Sequence, residues 1–95
     1  MKPYYTDYVR HMMRQYLLSA EGGETRAEIL NRKVCESVVR LLHEPEKSAI
    51  LAAYARGNIR KNVSEAAAKY HIGEERLWRL IKETEKIIAR ERGLL

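Results

Sequence analysis

Apolar residues recur every three or four positions along most of the chain, which is the spacing of an amphipathic helix. This pattern predicts five helices and no strand, so the expected fold class is all-α, an orthogonal bundle of helices. The first helix is expected over residues 5–17, with Thr6 as its N-cap. The second begins at a capping box formed by Thr25 and Glu28, and it ends near Glu44.

Proline, glycine and capping residues divide the second half of the chain into three more helices. The third helix begins at Pro45, in the first turn where proline is favoured, and ends at Gly57. Residues 58–62 are predicted to form a basic connector. A short fourth helix follows, with Ser64 as its N-cap, and the fifth helix covers residues 74–92.

The length and composition predict one domain. A chain of 95 residues is too short to build two independent hydrophobic cores, so residues 1–44 are expected to brace a head formed by residues 45–95. Hydrophobic residues make up 45% of the chain, too many for a disordered protein, and no apolar run is long enough to span a bilayer. The start lacks the apolar stretch of a signal peptide. We therefore expect a cytoplasmic protein that has no membrane partner.

Positive charge is concentrated in the second half of the chain. The net charge is +5 and the isoelectric point is about 9.5. Residues 1–55 carry eight Lys and Arg against seven Asp and Glu, whereas residues 56–95 carry ten against six. A basic half of this kind is typical of nucleic-acid binding, although it also fits an ordinary solvated surface.

The sequence offers no motif for catalysis or for metal binding. Cys35 is the only cysteine, so we expect a buried, unreactive thiol and no internal disulfide. The three histidines fall on different predicted elements, without the spacing of metal ligands. There is no glycine-rich phosphate loop and no nucleophile motif. We therefore expect a protein that is not an enzyme and needs neither a cofactor nor a metal.

The stretch from Glu65 to Ile81 has the features of a helix-turn-helix. The small side chain of Ala67 lets the fourth and fifth helices approach each other, and Tyr70, Ile72 and Leu77 fill the wedge between them. This packing leaves the outer face of the fifth helix free. That face is expected to contact nucleic acid through Glu75, Arg76, Trp78, Arg79 and Lys82.

Each of these residue types has a known way of contacting DNA. Arginine donates paired hydrogen bonds to guanine in the major groove and glutamate accepts from cytosine, which suits Arg76, Arg79 and Glu75. Lys61 and Lys69 are expected to contact phosphate groups. The alternatives are a solvated helix face, an intrahelical ion pair between Glu75 and Arg79, and a tryptophan that packs against the first helices.

Three segments resemble region 4 of bacterial sigma factors: Glu46–Leu51, Ser64–Ala67 and Ile72–Leu80. The resemblance covers residues 38–92 and implies DNA contacts at four positions and docking on RNA polymerase. Those positions are Glu75, Arg76, Trp78 and Arg79. The opening segment Tyr4–Arg10 looks like the start of short regulators from phages and conjugative elements of Gram-positive bacteria.

The chain departs from this family at the start of the fifth helix. Trp78 stands where the family favours a polar or basic residue, His71 replaces a turn glycine, and Gly73 replaces a Ser or Thr cap. No segment resembles the part of a sigma factor that binds the downstream promoter element. The resemblance therefore implies an accessory regulator and not a complete sigma factor.

The sequence thus predicts a DNA-binding transcriptional regulator of a phage or mobile element that contacts DNA through the helix at residues 74–92. The expected partners are double-stranded DNA and RNA polymerase, together with a second copy of the chain in a homodimer formed through the first helix. The alternative is a protein-interaction module that antagonises or modulates a host nucleic-acid machine. The acidic pair Glu74 and Glu75 favours this alternative.

Overall fold

The computed structural model describes residues 2–18 and 25–95, which form five helices. The helices are α1 (Thr6–Leu18), α2 (Arg26–Val39), α3 (Glu46–Ala53), α4 (Ile59–Lys69) and α5 (Glu74–Arg92). No strand occurs in these residues. The predicted all-α fold class is therefore confirmed.

The long helix α5 packs against all four of the other helices, while α1 pairs with α2 and α3 pairs with α4. The core lies where these pairs meet α5. Its largest fully buried apolar side chains are Met12, Met13, Ile50, Tyr54, Leu77, Ile81 and Ile88. Because Met12 and Met13 are buried inside the chain, they do not form an exposed face on α1 for a second copy. The homodimer stays a prediction.

The capping box at the start of α2 is formed as predicted. The amide of Glu28 donates to Thr25 Oγ1 at 3.2 Å, and the amide of Thr25 donates to Glu28 Oε1 at 3.3 Å. The predicted end of α2 near Glu44 is wrong, since the helix ends at Val39. The amides of Leu41 and Leu42 bond three residues back and tighten the chain into a turn. Leu41, inside the predicted helix, is 70% exposed. With no core to cover it there, the helix does not continue.

The helix α4 begins earlier than the sequence analysis predicted. Asn58 is its N-cap, because its Oδ1 accepts from the amides of Arg60 at 2.8 Å and Lys61 at 3.3 Å. The expected basic connector at residues 58–62 is therefore the cap and first turn of α4. Ser64 is an exposed residue in the helix interior and not the cap. Asparagine is as good an N-cap as serine, so the helix begins at the earlier of the two residues.

Smaller differences affect the other helix ends. Thr6 is the first residue of α1 and is buried, and Pro45 directly precedes the first residue of α3. The helix α3 ends at Ala53, before Gly57, whose φ of 107° lies in the left-handed region. Gly93 ends α5 as predicted, with a φ of 83° that suits glycine.

A chain of polar contacts joins α1, α2 and the end of α5. Asn31 is buried on α2, where its Nδ2 donates to Tyr8 Oη at 3.1 Å. Its Oδ1 accepts from Arg92 Nε at 2.6 Å. The Tyr4 hydroxyl also donates to the carbonyl of Leu94. These contacts fix the carboxyl end of α5 against the first two helices.

Candidate nucleic-acid interface

The junction between α4 and α5 is a tight turn in which Ile72 is buried. Residues 70–73 connect the two helices, and His71 has a φ of 54°, the left-handed conformation for which glycine would be the usual choice. The amide of Ile72 donates to the carbonyl of Ala67 at 3.0 Å. Ala67, Ile72 and Leu77 are all buried and Tyr70 is partly buried against the core, as the predicted wedge between the helices requires.

The outer face of the first half of α5 lines an open groove of about 840 Å³. Its lining comes from the amino-terminal segment, α1, the start of α4 and α5. The residues are Lys2, Arg10, Ile59, Arg60, Glu74, Glu75, Trp78, Arg79 and Lys82. Four of the seven predicted site residues lie together here: Glu75, Trp78, Arg79 and Lys82.

The groove is predominantly cationic, with five basic side chains against two carboxylates. Within residues 2–18 and 25–95, Arg60, Arg79 and Lys82 have no ion-pair partner. The ion pair considered between Glu75 and Arg79 is accordingly not formed. Unpaired cations that converge on one concave surface attract polyanions, and they pay no cost for breaking an existing ion pair.

Arg76 lies outside this groove. Its Nη2 is 3.1 Å from Glu46 Oε1, which links the start of α5 to the start of α3. Arg76 is 59% exposed, so the pair is a surface contact that adds little stability. The structure therefore separates Arg76 from Arg79, two residues that the sequence analysis had assigned the same role.

The two lysines predicted to contact phosphate also lie outside the groove. Lys61 is exposed on α4, with its Nζ 3.9 Å from Glu65 Oε1. The ammonium group of Lys69 is 5.4 Å from the centroid of the Tyr70 ring. Arg60, from the segment 58–62 that was predicted to be a basic connector, lines the groove instead.

Trp78 combines the two roles that the sequence analysis set against each other. The indole is half-buried, packs against the hydrophobic core and also lines the groove. The guanidinium carbon of Arg10 lies 5.9 Å from the ring centroid, in range of a cation–π interaction. Part of α1 therefore covers the indole, as the packing interpretation expected.

The sequence analysis missed a buried carboxylate beside the groove. Glu85 is 2% exposed, and its Oε2 accepts hydrogen bonds from Arg10 Nε at 2.8 Å and Tyr54 Oη at 2.9 Å. Burial and then the charge of Glu85 raise the pKa of Tyr54 well above its ordinary value. Its burial could have been predicted from helical spacing. Glu85 lies four residues after Ile81 and three before Ile88, on the face of α5 that packs against the core.

Cys35 is fully buried, as predicted. Burial raises the pKa of its thiol to about 12, because the apolar surroundings disfavour the thiolate. A thiol of this kind is unreactive at neutral pH. Cys35 therefore belongs to the core.

The chain matches no known protein family, no curated protein and no solved structure. The candidate interface is therefore assigned from geometry and charge. In the part of the chain that the structure describes, no group of three or more His, Cys, Asp or Glu side chains could hold a metal ion. None of the five helices there is long and apolar enough to cross a membrane.

Proposed function

We propose that this chain is a DNA-binding transcriptional regulator of a phage or mobile element, in which α4 and α5 act as a helix-turn-helix. The observation that carries the proposal is the groove along the outer face of α5. It brings the unpaired cations Arg60, Arg79 and Lys82 together on one surface. Resemblance to region 4 of sigma factors, which contact promoter DNA with the corresponding helix, adds support.

Base contacts are proposed for the residues on the first two turns of α5. Arg79 would donate paired hydrogen bonds to a guanine in the major groove, and Glu75 would accept from the amino group of a cytosine. Both side chains are exposed and line the groove. Arg76 is not given a reading role, because it pairs with Glu46 outside the groove.

Phosphate contacts are proposed for Arg60 and Lys82. They belong to different helices and both line the groove, so they could hold a sugar-phosphate backbone against α5. Such contacts would orient the duplex without selecting its sequence. Glu74 and Glu75 oppose them, so affinity for bare DNA should be modest. An additional contact to RNA polymerase would raise occupancy at a promoter.

The proposal is tested by titrating labelled duplex DNA with the protein between 50 and 200 mM salt and following fluorescence anisotropy. Each phosphate contact should contribute about −0.9 to the slope of log affinity against log salt concentration, because bound cations displace counterions. Single-stranded DNA of the same sequence should bind more weakly. A nearly flat slope, or a preference for the single strand, would contradict the proposal.

A matched pair of variants locates the interface on α5. Lys82 and Lys86 are exposed on the same helix one turn apart, but only Lys82 lines the groove. Lys82→Ala should reduce the salt slope by about one, whereas Lys86→Ala, with the same change in charge, should leave it nearly unchanged. Equal effects of the two variants would show that general positive charge, and not the groove, binds DNA.

The acidic pair supports a second candidate function, a protein-interaction module. Glu74 and Glu75 lie in the groove itself, where two carboxylates would suit a basic surface on a protein partner better than a phosphate backbone. On this hypothesis, duplex DNA would bind weakly and with little salt dependence. Glu74→Gln would then weaken capture of the partner, whereas on the DNA hypothesis the same change removes a repelling charge, leaves Glu75 intact and should strengthen phosphate binding.

A further inference from the structure

Arg10 differs from the other cations of the groove in being attached to the core. Its Nε donates to the buried carboxylate of Glu85 at 2.8 Å, and the Tyr54 hydroxyl donates to the same oxygen at 2.9 Å. Among the described groove residues, no other cation pairs with a buried acid. The side chain of Arg10 is therefore held in one position before any ligand arrives.

The remaining surroundings of Arg10 restrict it further. Its guanidinium group lies over the Trp78 ring, and its side chain keeps 20% of its surface exposed. It lines both the groove and an adjoining cavity of about 330 Å³, which Lys2 and Lys82 also line. Its terminal nitrogens have no hydrogen-bond acceptor among the described residues. These terminal N–H groups can therefore donate hydrogen bonds to a ligand.

We propose that Arg10 binds a phosphate group of the DNA backbone, and that Glu85 is its positioning residue; this inference rests on the DNA binding proposed above. A guanidinium group matches two phosphate oxygens with two parallel N–H donors. Because Glu85 already holds the Nε, binding would freeze little additional side-chain motion. Lys2 and Lys82 add positive charge around the same phosphate.

A phosphate fits this position better than a base edge. Arg10 is on α1, to one side of the helix whose outer face carries Arg79 and Glu75. A residue beside the recognition helix meets the backbone that flanks a major groove, and such contacts fix the register of the protein on the duplex. The interface would then extend from α5 to the amino-terminal helices, which would do more than brace the head.

The test uses a double variant that leaves the net charge at +5. Arg10→Met with Glu85→Gln removes one positive and one negative charge and keeps an acceptor for the Tyr54 hydroxyl. The proposal predicts a loss of affinity of about tenfold or more on every duplex sequence alike, since a charged hydrogen-bonding group is removed. The salt slope should become shallower by about 0.9.

Arg14→Met is the control, because Arg14 lies on the same helix and lines a different cavity with Leu17 and Gly57. It should change affinity by less than about twofold, the scale expected for a surface charge. Thermal unfolding establishes that each variant is folded. If the double variant does not fold, Arg10→Lys tests the proposal instead. Lysine can keep the ion pair with Glu85 but lacks the two parallel N–H donors of the guanidinium group.

The expected result for Arg10→Lys is a folded protein with severalfold weaker binding on all sequences. Wild-type affinity and salt slope in the folded double variant, or wild-type affinity in Arg10→Lys, would overturn the role of Arg10. In that case binding by the wild type and its dependence on Lys82 would still support the proposed function. A wild type that binds no DNA would overturn both proposals together.

Discussion

The two halves of α5 have the same helical geometry and opposite surroundings. In the first half, residues 74–82, only Leu77 and Ile81 are fully buried and the outer face lines the groove. In the second half the buried row is wider and includes a carboxylate: Thr84, Glu85, Ile88 and Ala89. The first half therefore presents its charged side chains to the groove, whereas the second half buries one of its charged side chains in the core.

This difference comes from the neighbours of each half and not from the composition of the helix. Charged residues are frequent along all of α5. At the second half, α1 and α2 supply partners for two of them, since Arg10 pairs with Glu85 and Asn31 accepts from Arg92. At the first half, Arg79 and Lys82 have no such partner among the described residues. A charge can thus be structural or available for a ligand, according to what packs beside it.

The largest effect is expected from a substitution in the second half of α5, at Glu85, and it concerns stability. Glu85→Ala removes the acceptor of both Arg10 and Tyr54 and leaves a partly buried guanidinium unpaired. The free energy of unfolding should fall by about 3–5 kcal/mol, as expected when one partner of a buried pair is lost. Urea denaturation of the purified protein measures this change.

Glu83→Ala is the control, because Glu83 is exposed on the same helix. It should alter the free energy of unfolding by no more than about 0.5 kcal/mol. If both variants lost a comparable free energy of unfolding, the buried pair would stabilise the fold no more than a surface residue does. The division of α5 into two halves would then be wrong.

The next largest effect concerns DNA binding at Arg79. Arg79→Ala should weaken binding to the preferred sequence by about tenfold to a hundredfold, about 1.4–2.7 kcal/mol, because a paired contact to guanine is lost. Arg76→Ala is the matched control three residues earlier, and it should have little effect because Arg76 pairs with Glu46 outside the groove. Anisotropy titrations on preferred and scrambled duplexes measure both, and a larger effect at Arg76 would reverse the assignment.

The third effect is a loss of stability at alkaline pH. The pKa of Cys35 rises from 9.0 to about 12 on folding, so the folded state retains the thiol proton more strongly than the unfolded state. Its contribution is complete below pH 9 and is lost between pH 9 and about 12. The loss should be about 1 kcal/mol between pH 9 and 10, and the slope should approach about 1.4 kcal/mol per pH unit above pH 10.

Urea denaturation at pH 8, 9 and 10 measures this loss, with Cys35→Ala as the control that removes the thiol. At pH 8 the variant should be less stable because of its smaller side chain, but its stability should depend less on pH between 8 and 10. Tyr54, whose pKa is also raised, has the same sign at higher pH. An equal slope in the variant would assign the alkaline loss to other groups.

The smallest effect distinguishes the two candidate caps of α4. Asn58→Ala should lower the free energy of unfolding by about 1 kcal/mol, because the amides of Arg60 and Lys61 lose their acceptor. Ser64→Ala, in the helix interior, should be neutral or slightly stabilising because alanine favours helix. Urea denaturation compares the two, and a greater loss at Ser64 would restore the cap predicted from the sequence.

The sequence predicted the number of helices, the capping box at Thr25 and the stop at Gly93 because these depend on local spacing and backbone preference. It placed the end of α2 and the start of α4 wrongly. Leu41 fits the helical row but finds no core to cover it, and Asn58 and Ser64 are both acceptable caps. The choice between such alternatives is made by tertiary packing, which local pattern does not contain.

The same limit applies to the candidate interface. The face carrying Glu75, Trp78, Arg79 and Lys82 follows from helical periodicity, and the structure brings these four together. The contribution of Arg10 could not be predicted, since it depends on α1 packing beside α5 across 75 residues of sequence. The pairing of Arg76 with Glu46 could not be predicted either. Because of this pair, Arg76 is left out of the residues proposed to contact DNA.

The central claim is that the groove on α5 binds duplex DNA, and selection of bound duplexes from a random pool tests it most directly. Wild type and Arg79→Ala would each be used near physiological salt, with and without RNA polymerase. The account predicts a short enriched motif for the wild type that is lost in the variant. Absence of any enriched motif for the wild type, both alone and with polymerase, would contradict it.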